Sequence, residues 1–148
     1  MSSSGIFPTD EWTIAEGETE AGLLLVRYRA GDPAPADQAI FQYLIIITWS
    51  FEPRDASGLP DSETLDQMEA FENCVLDKSD EDRVWGSGVA VITHAGTREW
   101  RFYTPDVEVF QGEFSTALSG FEPFPLQFLA FEDPEWTGFA EIRGMARG

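Results

Sequence analysis

The sequence has little cysteine, little histidine and little positive charge. Cys74 is the only cysteine among 148 residues, which excludes an internal disulfide and a zinc site built on several thiolates. Nine Lys and Arg stand against 27 Asp and Glu, so the formal net charge is −18. A protein with this charge is repelled by nucleic acid phosphates and by anionic membranes. We therefore expect neither nucleic acid nor a membrane as a partner.

Long apolar runs are also missing. Residues 1–9 lack the charged start and the apolar run of a signal peptide, and no later stretch is apolar for long enough to span a bilayer. We expect a cytoplasmic protein. An apolar share of 43% with 14% aromatic residues excludes disorder, and the length fits one domain over residues 1–148.

The first half of the chain predicts a β-hairpin and one buried strand. Trp12 and Ile14 alternate with polar residues in 11–16, and residues 22–30 read GLLLVRYRA on the other side of an acidic turn, which predicts a hairpin over about residues 10–30. Residues 31–37 contain two prolines and no periodicity, so we expect a loop. Residues 42–51, QYLIIITWSF, are nearly all β-branched or aromatic. Such a run is typical of a strand in the interior of a sheet.

The second half predicts two helices and three more strands. After Pro60 the following residues fall on one side at helical spacing: Leu65, Met68, Phe71 or Glu72, Val75 and Leu76. An acidic break at residues 78–82 precedes a strand at 84–93, and a tight turn at 94–96 leads to its hairpin partner at 98–104. The later elements are a helix from Pro105 to Gly120, a strand at 126–131, and a short tail around Trp136 and Phe139.

From residue 42 onward the predicted order is strand, helix, strand, strand, helix, strand. With right-handed crossovers this order gives an α+β fold, a ferredoxin-like split βαββαβ sandwich with its core over about residues 40–132. The N-terminal hairpin would extend the sheet or cover its open face.

Several short motifs resemble the bacterial domain of unknown function 695 family. They are GLP at 58–60 before a helix carrying Met68 and Glu69, the hairpin VITHAGTREWRFY at 91–103, an early Trp12, and Asp-Pro-x-Trp at 133–136. The resemblance implies no established activity. Some members look like partners of a second domain similar to the ribonuclease E inhibitor family, which is acidic, ferredoxin-like and binds an enzyme. We do not expect that neighbouring domain within residues 1–148, so it suggests an inhibitor or regulator only by analogy.

The first predicted helix carries most of the candidate partner-binding residues. Its carboxylates would present a negative surface to a basic protein and speed encounter by electrostatic steering: Glu63, Asp66, Glu69 and Glu72. The alternative is a solvated helix face that only maintains solubility. Glu69, if buried, would instead pair with an arginine or act as a general base.

A second candidate site lies on the predicted strand 98–104. Arg98, Arg101 and Tyr103 would bind a small carboxylate or phosphate, with Arg27 and Arg29 nearby if the N-terminal hairpin joins the sheet. The alternative is that these arginines pair with acids on neighbouring strands.

Catalysis is not indicated by any motif. His94 stands in a turn with no nucleophile tied to it, and Cys74 is expected to be a small buried side chain. The acidic stretch 77–82 lacks the glycine and distal glutamate of a calcium loop, so we predict no metal and no cofactor.

The sequence thus favours a non-catalytic, protein-binding regulator or inhibitor of a basic partner, of the immunity or ribonuclease-inhibitor type. The alternative is a small-molecule anion-binding protein or enzyme that uses the arginines, Tyr103 and Glu69. A homodimer formed through an exposed sheet edge is compatible with both functions.

Overall fold

A computed structural model describes residues 11–20, 22–55, 58–81, 86–121 and 124–147. Within these ranges the fold is α+β, a six-stranded antiparallel sheet with four helices. The strands are β1 (Trp12–Thr19), β2 (Gly22–Arg29), β3 (Tyr43–Ser50), β4 (Ser87–His94), β5 (Thr97–Thr104) and β6 (Leu126–Glu132). The helices are α1 (Pro35–Ile40), α2 (Ser62–Glu81), α3 (Val107–Ala117) and α4 (Thr137–Arg147).

The strand order is β1-β2-β4-β5-β3-β6, and each neighbouring pair is antiparallel. β3 lies between β5 and β6, which confirms the interior position expected from its apolar run. The predicted N-terminal hairpin forms and pairs through β2 with β4, so it extends the sheet rather than covering a face.

Each face of the sheet carries its own core. On one side α2 and α3 contribute Phe71 and Phe110, which pack with Trp100 of β5. On the other side α4 contributes Phe139 and Ile142, which pack with Tyr103 of β5. Successive residues of a strand point to opposite faces, so β5 supplies both cores from alternate positions, as its sequence predicts.

Three local expectations were wrong. The expected loop at 31–37 gives way to α1 at Pro35, and the expected tail contains α4. Helix α2 continues through residues 78–81, where we expected a break. Because α1 buries none of its residues, it shows no apolar period that sequence patterning could detect. Positions 84 and 85 of the predicted fourth strand lie outside the described residues.

The turn between β4 and β5 is the tight one that the sequence predicts. Ala95 and Gly96 have φ values of 51° and 84°. Two successive positive φ values are the signature of a two-residue turn whose twist suits a hairpin. The N–H of Gly96 also donates to the carbonyl of Gly58 at 3.2 Å, so the GLP segment packs against this turn.

Candidate functional site

Helix α2 separates an apolar side from an acidic one. The Thr64 N–H donates to Asp61 Oδ1 at 2.8 Å, which caps the start of the helix and lowers the pKa of Asp61. Met68, Phe71 and Val75 are fully buried. The exposed carboxylates of this segment, here called the acidic face, are Asp61, Glu63, Asp66 and Glu69. Residues 61–75 include no lysine or arginine, so the negative charge of this face is not offset by a cation on the same segment.

Glu72 does not belong to the acidic face. It is only 7% exposed, and its Oε1 accepts a hydrogen bond from Trp100 Nε1 at 2.9 Å. It also forms an ion pair with Arg27, and Arg98 Nη1 lies 3.9 Å from its Oε1. Because Glu72 is buried, the expectation that it faces a partner is wrong. Its helical spacing with Met68 and Val75 was the signal that pointed inward.

Arg98 is held beneath the edge of α2. Its Nε donates to Thr93 Oγ1 at 2.9 Å. Burial lowers the pKa of Arg98, and the neighbouring charge of Arg27 lowers it further, while Glu72 and Glu69 oppose that shift. Two guanidinium groups therefore share one buried carboxylate.

The arginines and tyrosine of the predicted anion site do not converge. Arg98 points to the α2 side of the sheet, whereas Arg101 and Tyr103 point to the α4 side, since they differ from it by an odd number of strand positions. Arg101 Nη1 donates to the carbonyl of Gly138 at 2.8 Å, and its Nε donates to Glu99 Oε2 at 2.7 Å. Arg101 thus pairs with an acid of its own strand and with the backbone of α4, rather than with an acid on a neighbouring strand.

The remaining arginines of the predicted cluster lie on the α2 side with Arg98. Arg27 forms the ion pair with Glu72, and its guanidinium lies 5.5 Å from the ring centre of Trp12. Arg29 is fully buried, donates from Nε to the carbonyl of Gly88 at 2.9 Å, and stacks 4.4 Å from the same ring. Trp12 therefore anchors the first strand against two arginines.

A groove opens between α2 and the β1–β2 hairpin. Its volume is about 240 Å³, and Arg27 and Arg98 lie at its base. Its apolar lining includes Leu25 and Leu65, and Ile14 on β1 is 71% exposed. Exposed carboxylates stand on both sides, with Glu16 on β1 and Glu69 on α2. No local sequence pattern indicates this groove, because it depends on α2 lying beside a hairpin that is far away in the chain.

A second polar cluster fixes the start of α4 on the opposite face. Tyr103 Oη donates to Asp133 Oδ2 at 2.6 Å, and the N–H groups of Thr137 and Gly138 donate to the same carboxylate at 2.8 Å. Burial raises the pKa of Asp133, but the three donors outweigh it, so this pKa is lowered. Burial and the bond to Asp133 raise the pKa of Tyr103 far above its ordinary value. The Asp-Pro-x-Trp motif therefore has a structural role as a helix cap.

The other two candidate residues, His94 and Cys74, each contact a residue that is distant in the chain. His94 Nε2 lies 2.7 Å from Thr19 Oγ1, and Cys74 Sγ, which is partly exposed rather than buried, donates to the carbonyl of Ala117 at 3.2 Å. Among the described residues, no three His, Cys, Asp or Glu side chains come together as metal ligands. No helix within the described ranges is both long and apolar enough to cross a membrane.

A model of a family described as a family of unknown function, DUF695, matches residues 10–142. No curated protein matches the sequence.

Proposed function

The chain belongs to the DUF695 family, a family of unknown function, and we propose that it is a non-catalytic regulator or inhibitor that binds a basic protein. The proposal includes partners of the ribonuclease or toxin type, whose binding surfaces are cationic. It also places the protein in the cytoplasm, where a single unpaired cysteine is not exposed to oxidising conditions.

The observation that carries this proposal is the acidic face of α2 beside the groove. Four exposed carboxylates lie on one helical segment, and Glu16 and Glu18 of β1 are exposed on the neighbouring hairpin. Like charges concentrated on one side of a protein raise the rate at which an oppositely charged partner arrives. Glu72 offsets one of the two arginine charges in the groove, and Glu16 and Glu69 in the same lining outweigh the other.

The groove supplies the short-range part of the interaction. Its apolar wall, formed by Ile14, Leu25 and Leu65, would receive an apolar side chain of the partner. Lysines or arginines flanking that side chain would meet Glu16 and Glu69 on the two rims. Burial of one apolar anchor commonly carries much of the affinity of an interface, while the surrounding charges orient the partner. The occupant is therefore a cationic segment with an apolar centre.

The order of the strands supports a ferredoxin-like core as part of the same proposal. The four strands from β3 to β6 stand in the order β4-β5-β3-β6, with α2 and α3 as the two helical connections. A split βαββαβ unit has its first strand inside the sheet and its second and last strands at the two ends. The N-terminal hairpin then adds two strands next to β4.

The alternative function, a small-molecule anion site, has less support. The side chains proposed for it, Arg98, Arg101 and Tyr103, are divided between the two faces of the sheet. Arg101 and Tyr103 are engaged with the start of α4 instead.

The test uses a triple variant of the acidic face, Glu63→Gln, Asp66→Asn and Glu69→Gln. Partners are captured from lysate of the source organism at low salt, identified by mass spectrometry, and purified for association kinetics. We expect a basic protein whose association with the variant is at least tenfold slower and depends less on salt. Glu72 is left out because it is buried.

The matched control neutralises three other exposed acids, Glu108→Gln, Glu113→Gln and Glu135→Gln, and so has the same net charge. This control should associate nearly as fast as the wild type. Equal rates for the two triple variants would show that total charge, rather than the acidic face, governs association. Failure to capture any basic protein at low salt would remove the proposal.

A further inference from the structure

Strand β6 forms one end of the sheet and pairs only with β3 among the described elements. Its side chains on the α4 side of the sheet are poorly covered, since Leu129 is 43% exposed and Phe131 is 47% exposed. Ile46 lies directly across from Leu129 on β3 and is only partly buried. An apolar patch therefore reaches the open edge of the sheet.

The backbone of β6 is oriented for further pairing. The Asp133 N–H donates to the carbonyl of Gln42 at 2.7 Å, and the register between β6 and β3 runs without interruption from residue 126 to residue 132. In an antiparallel ladder, alternate residues direct their N–H and C=O groups to the same neighbour. The backbone N–H and C=O groups of Leu129 and Phe131 therefore pair with β3. Those of Phe128 and Ala130 point outward, away from β3.

We propose that two copies of this chain associate through β6, antiparallel and about a twofold axis at Leu129. In this register Phe128 and Ala130 of one copy exchange backbone hydrogen bonds with Ala130 and Phe128 of the other. Leu129 faces Leu129 of the second copy at a non-hydrogen-bonded position, where opposing side chains approach most closely. Phe131 and Ile46 of both copies then join the two leucines in one apolar cluster. The two six-stranded sheets become one continuous sheet.

The distribution of charge favours a second copy of the chain as the partner and β6 as the edge strand through which it binds. β6 carries one charged residue, Glu132, and the twofold places it opposite Leu126 rather than opposite another acid. The opposite edge strand, β1, exposes Glu16 and Glu18, so two copies meeting there would bring like charges together. A basic partner would find a single acid on β6, whereas a second copy of this largely apolar strand complements it in shape and hydrogen bonding.

The experiment measures molar mass by light scattering and by sedimentation equilibrium over a range of protein concentrations. We expect the wild type to reach twice the mass of one chain. Leu129→Glu places two acids face to face in the dimer and should return the mass to that of one chain. The matched control is Ile14→Glu, an equally apolar-to-acidic change on the opposite edge strand, which should remain dimeric. Far-ultraviolet circular dichroism confirms that each variant is folded.

Amide hydrogen exchange locates the interface. The outward N–H groups of Phe128 and Ala130 should become protected as the wild type dimerises and should exchange rapidly in Leu129→Glu, while the Leu129 position keeps its protection in both. A wild type that is monomeric at all concentrations would overturn the proposal. So would a dimer that Leu129→Glu leaves intact and Ile14→Glu disrupts. This outcome is independent of the basic-partner proposal, because it is measured on the purified protein alone.

Discussion

Tyr103 lies flat against Trp136, with ring centres 3.9 Å apart and planes only 4° from parallel, while its hydroxyl donates to Asp133. One side chain of β5 therefore holds both Asp133, the cap of α4, and Trp136, the residue directly before this helix. Trp136 has a positive φ of 59°, an unfavourable backbone conformation for a bulky residue, and its Nε1 donates to the carbonyl of Phe41 at 2.9 Å. These contacts fix the helix that covers the second face of the sheet.

We expect Tyr103→Phe to lower the free energy of unfolding by about 2 kcal/mol, measured by urea denaturation. The substitution keeps the ring stacked on Trp136 and removes the hydroxyl that donates to Asp133 and accepts from the Phe139 N–H at 3.2 Å. Tyr43→Phe is the control, because no hydrogen bond of its hydroxyl is recorded among the described residues. An equal effect of the two substitutions would argue against the capping role of Tyr103.

Because of Asp133, the free energy of unfolding should depend on pH in the acidic range. Its pKa is lowered in the folded state, so its contribution is complete above the unfolded value of about 4 and is lost as the pH falls through the lowered folded value. The difference in unfolding free energy between the wild type and Asp133→Asn should therefore shrink below about pH 4. Glu135→Gln removes a nearby exposed charge and controls for general acid effects. A difference that stays constant with pH would contradict the lowered pKa.

Glu72→Gln should destabilise the protein by about 3 kcal/mol, because it leaves Arg98 buried without its countercharge. The amide retains an oxygen that can accept from Trp100 Nε1, so the measurement isolates the charge. Glu69→Gln, one turn earlier on α2 and exposed, should change stability by no more than about 0.5 kcal/mol. Chemical denaturation of both variants provides the comparison. Similar small losses for both would mean that the ion pairs at Glu72 add little to stability.

Gly96→Ala should lower the free energy of unfolding by about 2 kcal/mol. Gly96 has a φ of 84°, and a Cβ atom there would lie 3.1 Å from the carbonyl oxygen of Phe51. Gly112→Ala in α3 meets nothing within 4 Å and should stabilise the protein by about 0.5 to 1 kcal/mol. Thermal and urea unfolding of the two alanine variants should therefore move in opposite directions. A stabilised Gly96→Ala variant would show that the turn relaxes freely.

Most strands and the helices α2 and α3 could be predicted from the sequence, because each has a strong period of its own. The apolar run from residue 42 to 51 predicted an interior strand, and the turn at Ala95 and Gly96 predicted a hairpin. Helix α4 escaped prediction because the described part of it buries mainly Phe139 and Ile142, and because its cap, Asp133, precedes the helix by four residues.

The candidate site was predicted only in part. Glu63, Asp66 and Glu69 are exposed on α2, although the spacing left burial of Glu69 open, whereas Glu72 is buried with the apolar residues of the helix. Alternation along β5 separates Arg98 from Arg101, and the pattern for this separation was present in the sequence. The groove and its exposed Ile14 depend on contacts between distant segments and had no local signal.

The sequence by itself determined the charge of the protein, the type of its main elements and the two faces of β5, because charge and periodicity are properties of neighbouring residues. Only the tertiary structure decided that the hairpin joins β4, that Glu72 is shared by Arg27 and Arg98, and that Tyr103 holds Asp133, the cap of α4. These relationships join residues far apart in the chain. Their energies come from burial and long-range pairing, which no local pattern records.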